Sequence, residues 1–519
     1  MLRGWTRGAW ALAALAGMTP AAAASGTLTV ALNADIRSTE PGVNRDTNSD
    51  MVLAQVVEGL VATRADLSVA PMLADRVEMA DEGRTYIFHL RDGVRFHDGR
   101  VLRAGDVRWS WDHWMDPARN WTCRSFYDGT GRGVKVLSVD TPDDLTVRFT
   151  LDRPSAVFLA QMASTQCPLA ILSPSSVGAD GHWIAPIGTG PFRLGEWRRG
   201  QYVMLDRFDG YSARSDESSG LAGAKQALVE QVKFLIVPDV TTSQTALLSG
   251  GVDIIPALPA AAGQDLKRFS GVRVYEQELL SWTVLLLQSD DPVLSDVRIR
   301  RAVAHAIDRD GIAMVATNGL VKPNPSAVPR VAPQHGSVHD EWPAYDPAKA
   351  RALLKEAGYA GQRIVVQTNR RFPNMFDNAV LIHAYLRDAG FNADLAVLDW
   401  ASQLSNYQKG RYQLSSFSYS ARFDPALTYD ALIGDRASRA TAQWHSTQAA
   451  ALLDQANRSA DEADRQSAFD ALHQQMVADV PIMGLYNGVA VAATRATVTG
   501  FHNWAANLPV LWGVAKEGE

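Results

Sequence analysis

The first third of the chain carries the alternation of apolar and polar positions that is typical of β-strands. In TYIFHLRDGVRFHDG (85–99), every second residue from 86 to 90 is aromatic or aliphatic and would lie on one face of a strand. Asp-Gly pairs follow at 92–93 and 98–99, and such pairs favour tight turns. The segment therefore predicts a hairpin turning at 92–93, closed by a second turn at 98–99.

A helix and a second hairpin are predicted next. We expect Asp106 to cap a helix that carries Trp109, Trp111 and Trp114. The segment VKVLSVDTPDDLTVRFTL (134–151) alternates on both sides of Pro-Asp-Asp, which is a turn sequence. The early part of the chain is thus predicted to be β-rich with one inserted helix.

The glycines of PIGTGPFRLGEW (186–197) raise the question of a phosphate-binding loop. Such a loop needs Gly-Lys-Ser/Thr at the start of a helix, whereas Pro191 follows Gly190 here. The segments FRLGEW and YVMLDRF alternate in strand fashion around Arg-Arg-Gly at 198–200. The pattern therefore predicts a hairpin and argues against a nucleotide loop.

The remainder of the chain alternates between helix and strand patterns. FLIVPDVTTSQTALLSGGVDIIPAL (234–258) predicts a strand, a helix capped by Asp239, a stop at Gly-Gly and a short strand. Asp296 opens an amphipathic helix, and Asp346 with Pro347 opens another that ends at Gly358.

Three strand patterns separated by two helical patterns follow between residues 363 and 420. This β-α-β-α-β order is typical of a mostly parallel sheet. A long helix marked by Phe469, Leu472 and Met476 then ends before Pro481. The second part of the chain is therefore predicted to be an α/β lobe.

Length and charge narrow the class of protein. A chain of 519 residues is too long for one ordinary core, so two or more lobes are expected. The formal net charge of -6 argues against a general nucleic-acid binder.

The N-terminal segment has the features of a secretory signal. Arg3 and Arg7 precede an apolar stretch at 9–18, and an A-x-A site ends at Ala24. We expect residues 1–24 to be cleaved and the mature chain to be periplasmic. The first cysteine is Cys123, so a lipid-modified cysteine at the cleavage point is not expected.

Candidate catalytic and metal motifs are absent from the sequence. The chain has no H-E-x-x-H, C-x-x-C, G-x-S-x-G, kinase or Walker signature, so a non-enzymatic role without a cofactor or metal is expected. Two cysteines in an oxidising compartment predict one disulfide, Cys123 to Cys167, with buried free thiols as the alternative.

Several motifs, taken together, resemble those of the peptide/nickel/opine class of ABC-transporter solute-binding proteins (extracellular solute-binding protein family 5). The motifs occur in family order and are LRDGVRFHDG with LRAGDVRWSW, PIGTGPFRLGEWRRGQYVMLDRF, VPDVTTSQTALLSGGVDI, DVRIRRAVAHAIDRDGI and YDPAKARALLKEAGY. The resemblance implies a two-lobed, Venus-flytrap α/β fold of the cluster C type with an inserted β-rich subdomain. It also implies a monomer that encloses a small solute and delivers it to a membrane permease.

The same resemblance implies the division of the chain. Lobe I would comprise residues 25–60, 188–276 and 482–519, with the inserted subdomain at 61–187, and lobe II would comprise 277–481. The chain would then cross between the lobes near 276–281 and 480–485, and these crossings would form the hinge.

Ligand contacts can also be carried over from the dipeptide binders of the family. In those proteins an Arg before a Pro, after a strand ending in Thr-Asn, pairs with the ligand carboxylate, and in TNRRFPN (368–374) the nearest match is Arg371. An Asp before Asp-Pro holds the ligand α-amino group, but SFSYSARFDP (416–425) offers Arg422 and, as its only carboxylate, Asp424. Tyr419 and Ser420 lie in the same stretch.

Two arginines would favour an anionic ligand, because guanidinium groups bind carboxylate or phosphate in bidentate fashion. An opine or sugar-phosphate binder is therefore the alternative to a peptide binder, and Arg422 would otherwise pair with an acid of the protein. A nickel-chelate carrier would need a histidine at the cleft, for which His445 is the candidate. A periplasmic enzyme is a third class.

Aromatic residues could also contribute to the cleft. Trp282 and Thr283 lie on the strand that enters lobe II, where family members line the cleft. Trp282 would stack on a ligand or belong to the core, and Trp400 is predicted to be a core residue.

Overall fold

A computed structural model describes residues 26–130 and 133–517, so the predicted signal segment lies outside the described residues. Within these ranges the chain forms twenty β-strands and thirteen α-helices. No helix among them is both long and apolar enough to cross a membrane.

The strands are β1 (Thr27–Leu32), β2 (Glu58–Gly59), β3 (Val61–Thr63), β4 (Val69–Pro71), β5 (Ala74–Ala80), β6 (Thr85–Leu90), β7 (Val136–Asp143), β8 (Thr146–Leu151), β9 (Ala170–Ile171), β10 (Phe192–Arg198), β11 (Tyr202–Arg207), β12 (Gln231–Ile236), β13 (Ile254–Ile255), β14 (Val272–Leu287), β15 (Ile364–Asn369), β16 (Ala393–Leu398), β17 (Leu414–Tyr419), β18 (Ile482–Arg495), β19 (Val498–Thr499) and β20 (Ala515–Lys516).

The helices are α1 (Thr47–Leu53), α2 (Ala104–Met115), α3 (Phe158–Met162), α4 (Val240–Ser249), α5 (Ala260–Leu266), α6 (Val297–Ala306), α7 (Arg309–Thr317), α8 (Pro347–Glu356), α9 (Pro373–Asp388), α10 (Trp400–Gln408), α11 (Pro425–Leu432), α12 (Thr447–Arg458) and α13 (Glu462–Asp479). Short 3-10 turns lie at Asp81–Gly83, Pro117–Arg119, Arg124–Phe126, Pro174–Ser176 and Ser337–Asp340.

A ten-stranded sheet joins the two lobes. Its order is β10-β11-β12-β1-β13-β18-β14-β17-β15-β16. The strands β15, β16 and β17 pair in parallel, as the β-α-β-α-β pattern predicted. Because α9 and α10 connect them, this end of the sheet is an α/β lobe of the expected kind.

Two long antiparallel strands, β14 and β18, run through both lobes. Residues 272–278 of β14 pair with 489–495 of β18, and residues 282–286 pair with 482–487. The pairing is irregular between Glu278 and Trp282. This irregular stretch lies where the first crossing between lobes was predicted, although the exact domain boundaries stay a prediction.

A separate four-stranded antiparallel sheet, in the order β5-β6-β8-β7, forms the β-rich region of the first third. The hairpin of β7 and β8 is confirmed, with Asp143 opposite Thr146 at its turn. The hairpin predicted at 92–93 is wrong, because β6 pairs with β5 and β8 instead. Only an isolated bridge, Arg95 to Val101, forms around the second predicted turn.

Helix α2 begins three residues earlier than predicted. Its N-cap is Arg103, and Asp106 occupies the third helical position. From there the Asp106 carboxylate accepts a hydrogen bond from the Arg103 backbone N–H at 2.9 Å. Asp106 therefore accepts a hydrogen bond from the backbone at the start of the helix, but it does so from the first turn and not from the N-cap position.

The predicted caps of three other helices are confirmed. The carboxylates of Asp239, Asp296 and Asp346 accept backbone hydrogen bonds from the first turns of α4, α6 and α8. Gly250 and Gly358, at the ends of α4 and α8, have φ of +83° and +71°. These ends follow local backbone chemistry, which explains why the sequence predicts them.

The glycines of the 186–197 segment are explained by close packing of two backbones. A Cβ atom on Gly190 would lie 2.7 Å from the Gln55 carbonyl oxygen, and one on Gly188 would collide with the Val56 carbonyl oxygen. The chain then enters the antiparallel pair β10–β11. The hairpin prediction is confirmed.

The two cysteines form the predicted disulfide, which joins Cys123 to Cys167. Both side chains are buried in the main core beside the aromatic cluster of the first third. The alternative of two buried free thiols does not hold.

A buried ion pair lies in lobe I. The Lys225 ammonium is 3.1 Å from Glu58 Oε1, and the two side chains are only 3% and 1% exposed. The Glu58 carboxylate also accepts hydrogen bonds from the hydroxyls of Thr189 (2.9 Å) and Tyr211 (3.0 Å). The Lys225 ammonium lies 4.8 Å from the centre of the Trp512 ring, so the pair is enclosed by hydrogen bonds and an aromatic face.

Three histidine rings lie side by side, tilted against one another, in the region predicted to be lobe II. The centres of His335 and His339 are 5.5 Å apart, and those of His339 and His473 are 5.4 Å apart. Burial lowers the pKa of all three, in His335 and His473 to about 4. Asp340 and Asp470 oppose this effect, but burial dominates.

Acid is therefore expected to destabilise the protein between about pH 6.5 and pH 4. In this range histidines of the unfolded chain bind protons while His335 and His473 in the folded chain do not, so stability falls as pH falls. The loss through His473 should be on the order of 2 kcal/mol. Urea unfolding across this range should show a shallower pH dependence in His473→Gln than in the wild type.

The control is His445→Gln, because His445 is exposed. It should leave the pH dependence of stability unchanged. An identical slope in the wild type and His473→Gln would contradict the prediction.

Candidate functional site

A cavity of about 480 Å³ lies between the two lobes. It is lined by residues from the segments 45–50, 165–166, 279–281, 371–375, 418–421 and 505–508, and by Trp400. In the division of the chain predicted from the sequence, the first and last of these segments belong to lobe I, and 371–375, Trp400 and 418–421 belong to lobe II. The cavity is thus a cleft with one wall from each lobe.

The wall from lobe II is built at the carboxyl ends of parallel strands. Strands β15 and β17 end at Asn369 and Tyr419, and the loops that follow them supply the wall. The Asn369 side chain accepts a hydrogen bond from the Phe372 N–H at 3.0 Å and donates one to Gln403 at 2.8 Å. These bonds hold the loop at the strand ends, where open α/β sheets bind ligands.

Arg371 lies on this wall, where the sequence predicted a ligand contact. Its side chain is exposed and forms no ion pair with any residue in the described ranges. Its guanidinium lies 5.8 Å from the centre of the Phe372 ring. Arg371 is therefore available to a negatively charged group in the cleft.

The wall from lobe I carries charges that the sequence analysis missed. Arg45 forms a bidentate pair with the carboxylate of Asp50 in α1, and Asp46 caps the same helix by accepting from the Ser49 N–H at 2.8 Å. Burial raises the pKa of Asp50 to about 6, although Arg45 opposes the shift. The sequence signal was the charged run NRDTNSD at 44–50 before an apolar stretch.

Aromatic side chains complete the lobe II wall. Trp400, predicted to be a core residue, is partly buried at the cleft, with its ring 4.9 Å from that of Phe372 and edge-on to it. Tyr419 is buried in the same wall, and burial raises the pKa of its hydroxyl. Ser420 and Tyr419 both line the cleft, as the sequence suggested.

Three other candidate residues are not brought to the cleft wall. The Trp282 indole N–H donates to the Asn324 carbonyl oxygen at 3.1 Å, and Thr283 is buried beside it in β14. Asp424 caps α11 and forms a bidentate ion pair with Arg465, with both distances 2.7 Å. Its carboxylate is already satisfied within the protein.

Arg422 lies behind the cleft wall. Its guanidinium donates to the carbonyl oxygens of Ser420 (3.5 Å) and Ala421 (3.1 Å) and lines a second cavity. It does not pair with Asp424, which was the structural alternative considered for it. His445 is exposed and is not among the residues that line the cleft.

The described part of the chain contains no group of three or more His, Cys, Asp or Glu side chains that could hold a metal ion.

Comparison with known families agrees with this architecture. The model of the bacterial extracellular solute-binding proteins, family 5 (middle region), matches residues 68–437. The chain belongs to this family. It is therefore a solute-binding protein of the two-lobed type.

Among curated relatives, the dipeptide-binding protein of Escherichia coli K12 is 28% identical to this chain over 397 residues, which cover 72% of this chain and 71% of the relative. The glutathione-binding protein GsiB of Pectobacterium atrosepticum is 25% identical to this chain over 504 residues, which cover 91% of each chain. These relatives are binding proteins and not enzymes.

Among solved structures, this chain is similar to the periplasmic binding protein AgaA of A. tumefaciens R10 in complex with agropinic acid. The TM-score is 0.77 and the identity is 25%, with 95% of this chain and 99% of that chain covered. The two-lobed α/β fold predicted from the sequence is confirmed.

Proposed function

We propose that the protein is the periplasmic substrate-binding component of an ABC importer, which captures a short peptide or peptide-like solute between its lobes and delivers it to the permease. The observation that carries the proposal is a cleft with Arg371 on one wall, which forms no ion pair with any described residue, and the ion pair of Arg45 and Asp50 on the other. A peptide with free ends carries the complementary charges, a carboxylate and an ammonium group.

The size of the cleft supports a small ligand. Its volume of about 480 Å³ falls among those of small-molecule sites, which are about 300–1,000 Å³. Phe372, Trp400 and Tyr419 give it an apolar side that can pack against a side chain or backbone of the ligand.

The amino group of the ligand is proposed to be held from lobe I. Asp424, the carboxylate nominated by resemblance, is paired with Arg465 and does not line the cleft, whereas Asp50 lines the cleft together with its partner Arg45. An ammonium group close to Asp50 would favour its ionised form and would offset the burial that raises its pKa. Asp50 would then take the part that an aspartate before Asp-Pro plays in dipeptide binders.

The names of the relatives favour a peptide, since two of them are called dipeptide-binding and glutathione-binding proteins. An anionic opine is the second candidate, because Arg45 and Arg371 both reach the cleft and the similar protein AgaA was solved with agropinic acid. A nickel chelate bound through His445 has no support from the cleft lining.

Export and organisation complete the proposal. The N-terminal pattern supports cleavage after Ala24 and a periplasmic protein without a lipid-modified cysteine at the cleavage point, and the family resemblance supports a monomer. Lobe I at 25–60, 188–276 and 482–519, the insertion at 61–187 and lobe II at 277–481 remain the proposed division. The irregular pairing of β14 at 278–282 supports a hinge there.

Arg371→Ala is expected to weaken peptide binding at least about tenfold, because a ligand carboxylate loses its charged partner. Isothermal titration with dipeptides and opines, guided by native mass spectrometry of any co-purified solute, measures the effect. The ligand-free melting temperature should stay nearly unchanged, since Arg371 is exposed and has no ion-pair partner in the described ranges.

The matched control is Arg363→Ala, which removes an exposed arginine that pairs with Asp394. Its affinity should equal that of the wild type. Tight binding of the solute by Arg371→Ala would refute the assignment of the cleft.

A further inference from the structure

A second cavity, of about 570 Å³, lies between the β-rich insertion and the helices of lobe II. On the insertion side it is lined by residues that follow β8 and by α3, and on the other side by residues of α11 and α12 and by Arg422. The Ala156 N–H donates to the Asn457 carbonyl oxygen at 2.7 Å and ties the two sides together. We call this cavity the rear chamber.

The charge around the rear chamber is mainly positive. Four arginines line it, together with two aspartates, and the list is Arg153, Arg422, Arg439, Arg458, Asp430 and Asp454. Arg439 contacts Asp430, with 3.5 Å between Nη1 and Oδ2, and Arg153 Nη1 lies 3.2 Å from Asp152 Oδ2. With Asp152 included, the charged side chains of the described residues at the chamber carry an excess of one positive charge.

Burial acts on the charge of Arg422. It lowers the pKa of the guanidinium, whereas the hydroxyls of Tyr407 and Tyr419 and the carboxylate of Asp430 oppose the shift. The hydrogen bonds of the guanidinium go to two neighbouring carbonyl oxygens. Because burial penalises the charged form of a guanidinium, an anion bound beside Arg422 would stabilise it.

Gln161 gives an independent indication of a missing polar partner. Its side chain is 5% exposed, lines the rear chamber, and has an Oε1 atom that finds no hydrogen-bond donor in the described structure. A buried polar atom without a partner costs free energy. Since Oε1 is an acceptor, Gln161 would bind an anion here only in the flipped amide rotamer, which places the Nε2 donor at this position.

The rear chamber adjoins the cleft through one strand end. Tyr419, Ser420 and Ala421 line the cleft, and the next residue, Arg422, lines the rear chamber. The partition includes a contact between Gln166 Nε2 and the Ala421 carbonyl oxygen at 3.3 Å. A single side-chain contact of this length can yield to a ligand that extends from one space to the other.

We propose that the rear chamber is an anion subsite that binds a carboxylate or phosphate group through Arg422 and Gln161. The group is expected to come from an acidic side chain or the carboxyl terminus of the peptide held in the cleft, and in this respect the inference rests on the proposed function. A free inorganic anion carries the same chemistry and is the other source. The protein would thus prefer acidic peptides over neutral ones of equal size.

The test compares acidic peptides with their neutral isosteres by isothermal titration. Ala-Glu and Ala-Ala-Glu are measured against Ala-Gln and Ala-Ala-Gln in the wild type and in Arg422→Gln. In the wild type, at least one acidic peptide should bind about tenfold more tightly than its glutamine counterpart. In Arg422→Gln this ratio should fall to near one, with the affinity for the glutamine peptides changed less than about twofold.

A second arm tests the free anion. Inorganic phosphate should raise the melting temperature of the wild type and of Arg363→Gln, a control arginine outside the chamber, more than that of Arg422→Gln. If acidic peptides are preferred but phosphate does not raise the melting temperature, the chamber binds an acidic group of the peptide. If phosphate raises the melting temperature but acidic peptides are not preferred, the chamber binds a free anion. If Arg422→Gln melts early without ligand, Gln161→Leu replaces it in both arms.

The outcomes separate this proposal from the function. If no peptide of any kind binds, the proposed peptide function fails, and the phosphate arm alone decides the chamber. Equal affinity for glutamate and glutamine peptides in the wild type, together with equal phosphate effects in all variants, overturns the anion subsite. A preference for acidic peptides that survives in Arg422→Gln also overturns it.

Discussion

Replacing Lys225 by methionine is expected to lower the free energy of unfolding by about 3–5 kcal/mol. The substitution leaves the Glu58 carboxylate buried without its ammonium partner, which lies 3.1 Å away in the wild type. Hydrogen bonds from Thr189 and Tyr211 remain, but they do not neutralise the charge. Urea unfolding followed by tryptophan fluorescence measures the loss.

The matched control is Lys267→Met, which removes an ammonium 2.7 Å from Glu276 in an exposed pair, with the side chains 43% and 28% exposed. This variant should lose less than about 1 kcal/mol, because water solvates the remaining charge. Adding Glu58→Gln to Lys225→Met should recover part of the stability, since no buried charge is left unpaired. Equal losses in the two lysine variants would contradict the burial argument.

Removal of the disulfide is expected to cost about 3–4 kcal/mol. Cys123 and Cys167 are 44 residues apart in sequence, so their bond removes a large loop entropy from the unfolded chain. The double variant Cys123→Ala, Cys167→Ala should therefore unfold at lower urea concentration than the oxidised wild type.

Thiol titration provides the direct check on the same bond. The denatured, unreduced wild type should show no reactive thiol, and two should appear after reduction. The reduced wild type should match the double variant in stability, apart from the small packing change of the substitution. Two thiols before reduction would contradict the bond.

The sequence predicted those elements whose signals are local. Asp239, Asp296 and Asp346 each cap a helix through a backbone N–H two or three residues away, so the three caps could be found by spacing alone. The parallel strands β15, β16 and β17 were predicted because each βα unit is contained in one continuous stretch. Neither prediction required knowledge of distant contacts.

Errors arose where a distant segment determined the structure. Strand β6 has a turn sequence after it, yet its partners are β5 and β8, the latter about sixty residues away. Burial on the sheet outweighed the local turn, and the segment after it forms only a bridge. The tendency of a short sequence to form a turn does not show which of several strands will pair with the strand before it.

The residues of the candidate site also fall into two groups, those with a local sequence signal and those that only distant contacts bring to the cleft. Arg371, Tyr419 and Ser420 follow strand ends, a position that the β-α-β pattern indicates, and they do line the cleft. Asp50 lies in the short helix α1 and Arg45 just before it, more than 300 residues earlier, and only the folded chain brings them to the opposite wall. Their place in the cleft had no signal beyond a run of charges.

The paired strands β14 and β18 constrain how the lobes can move. Both pass between the lobes side by side, and at the irregular stretch a Cβ atom on Gly488 would collide with the Ser281 side chain. Two hydrogen-bonded strands bend across their common plane more easily than they slide past each other, because sliding breaks the whole ladder. Opening is therefore expected to be a rotation about one axis, so that Arg371 and Asp50 return to the same mutual alignment at each closure.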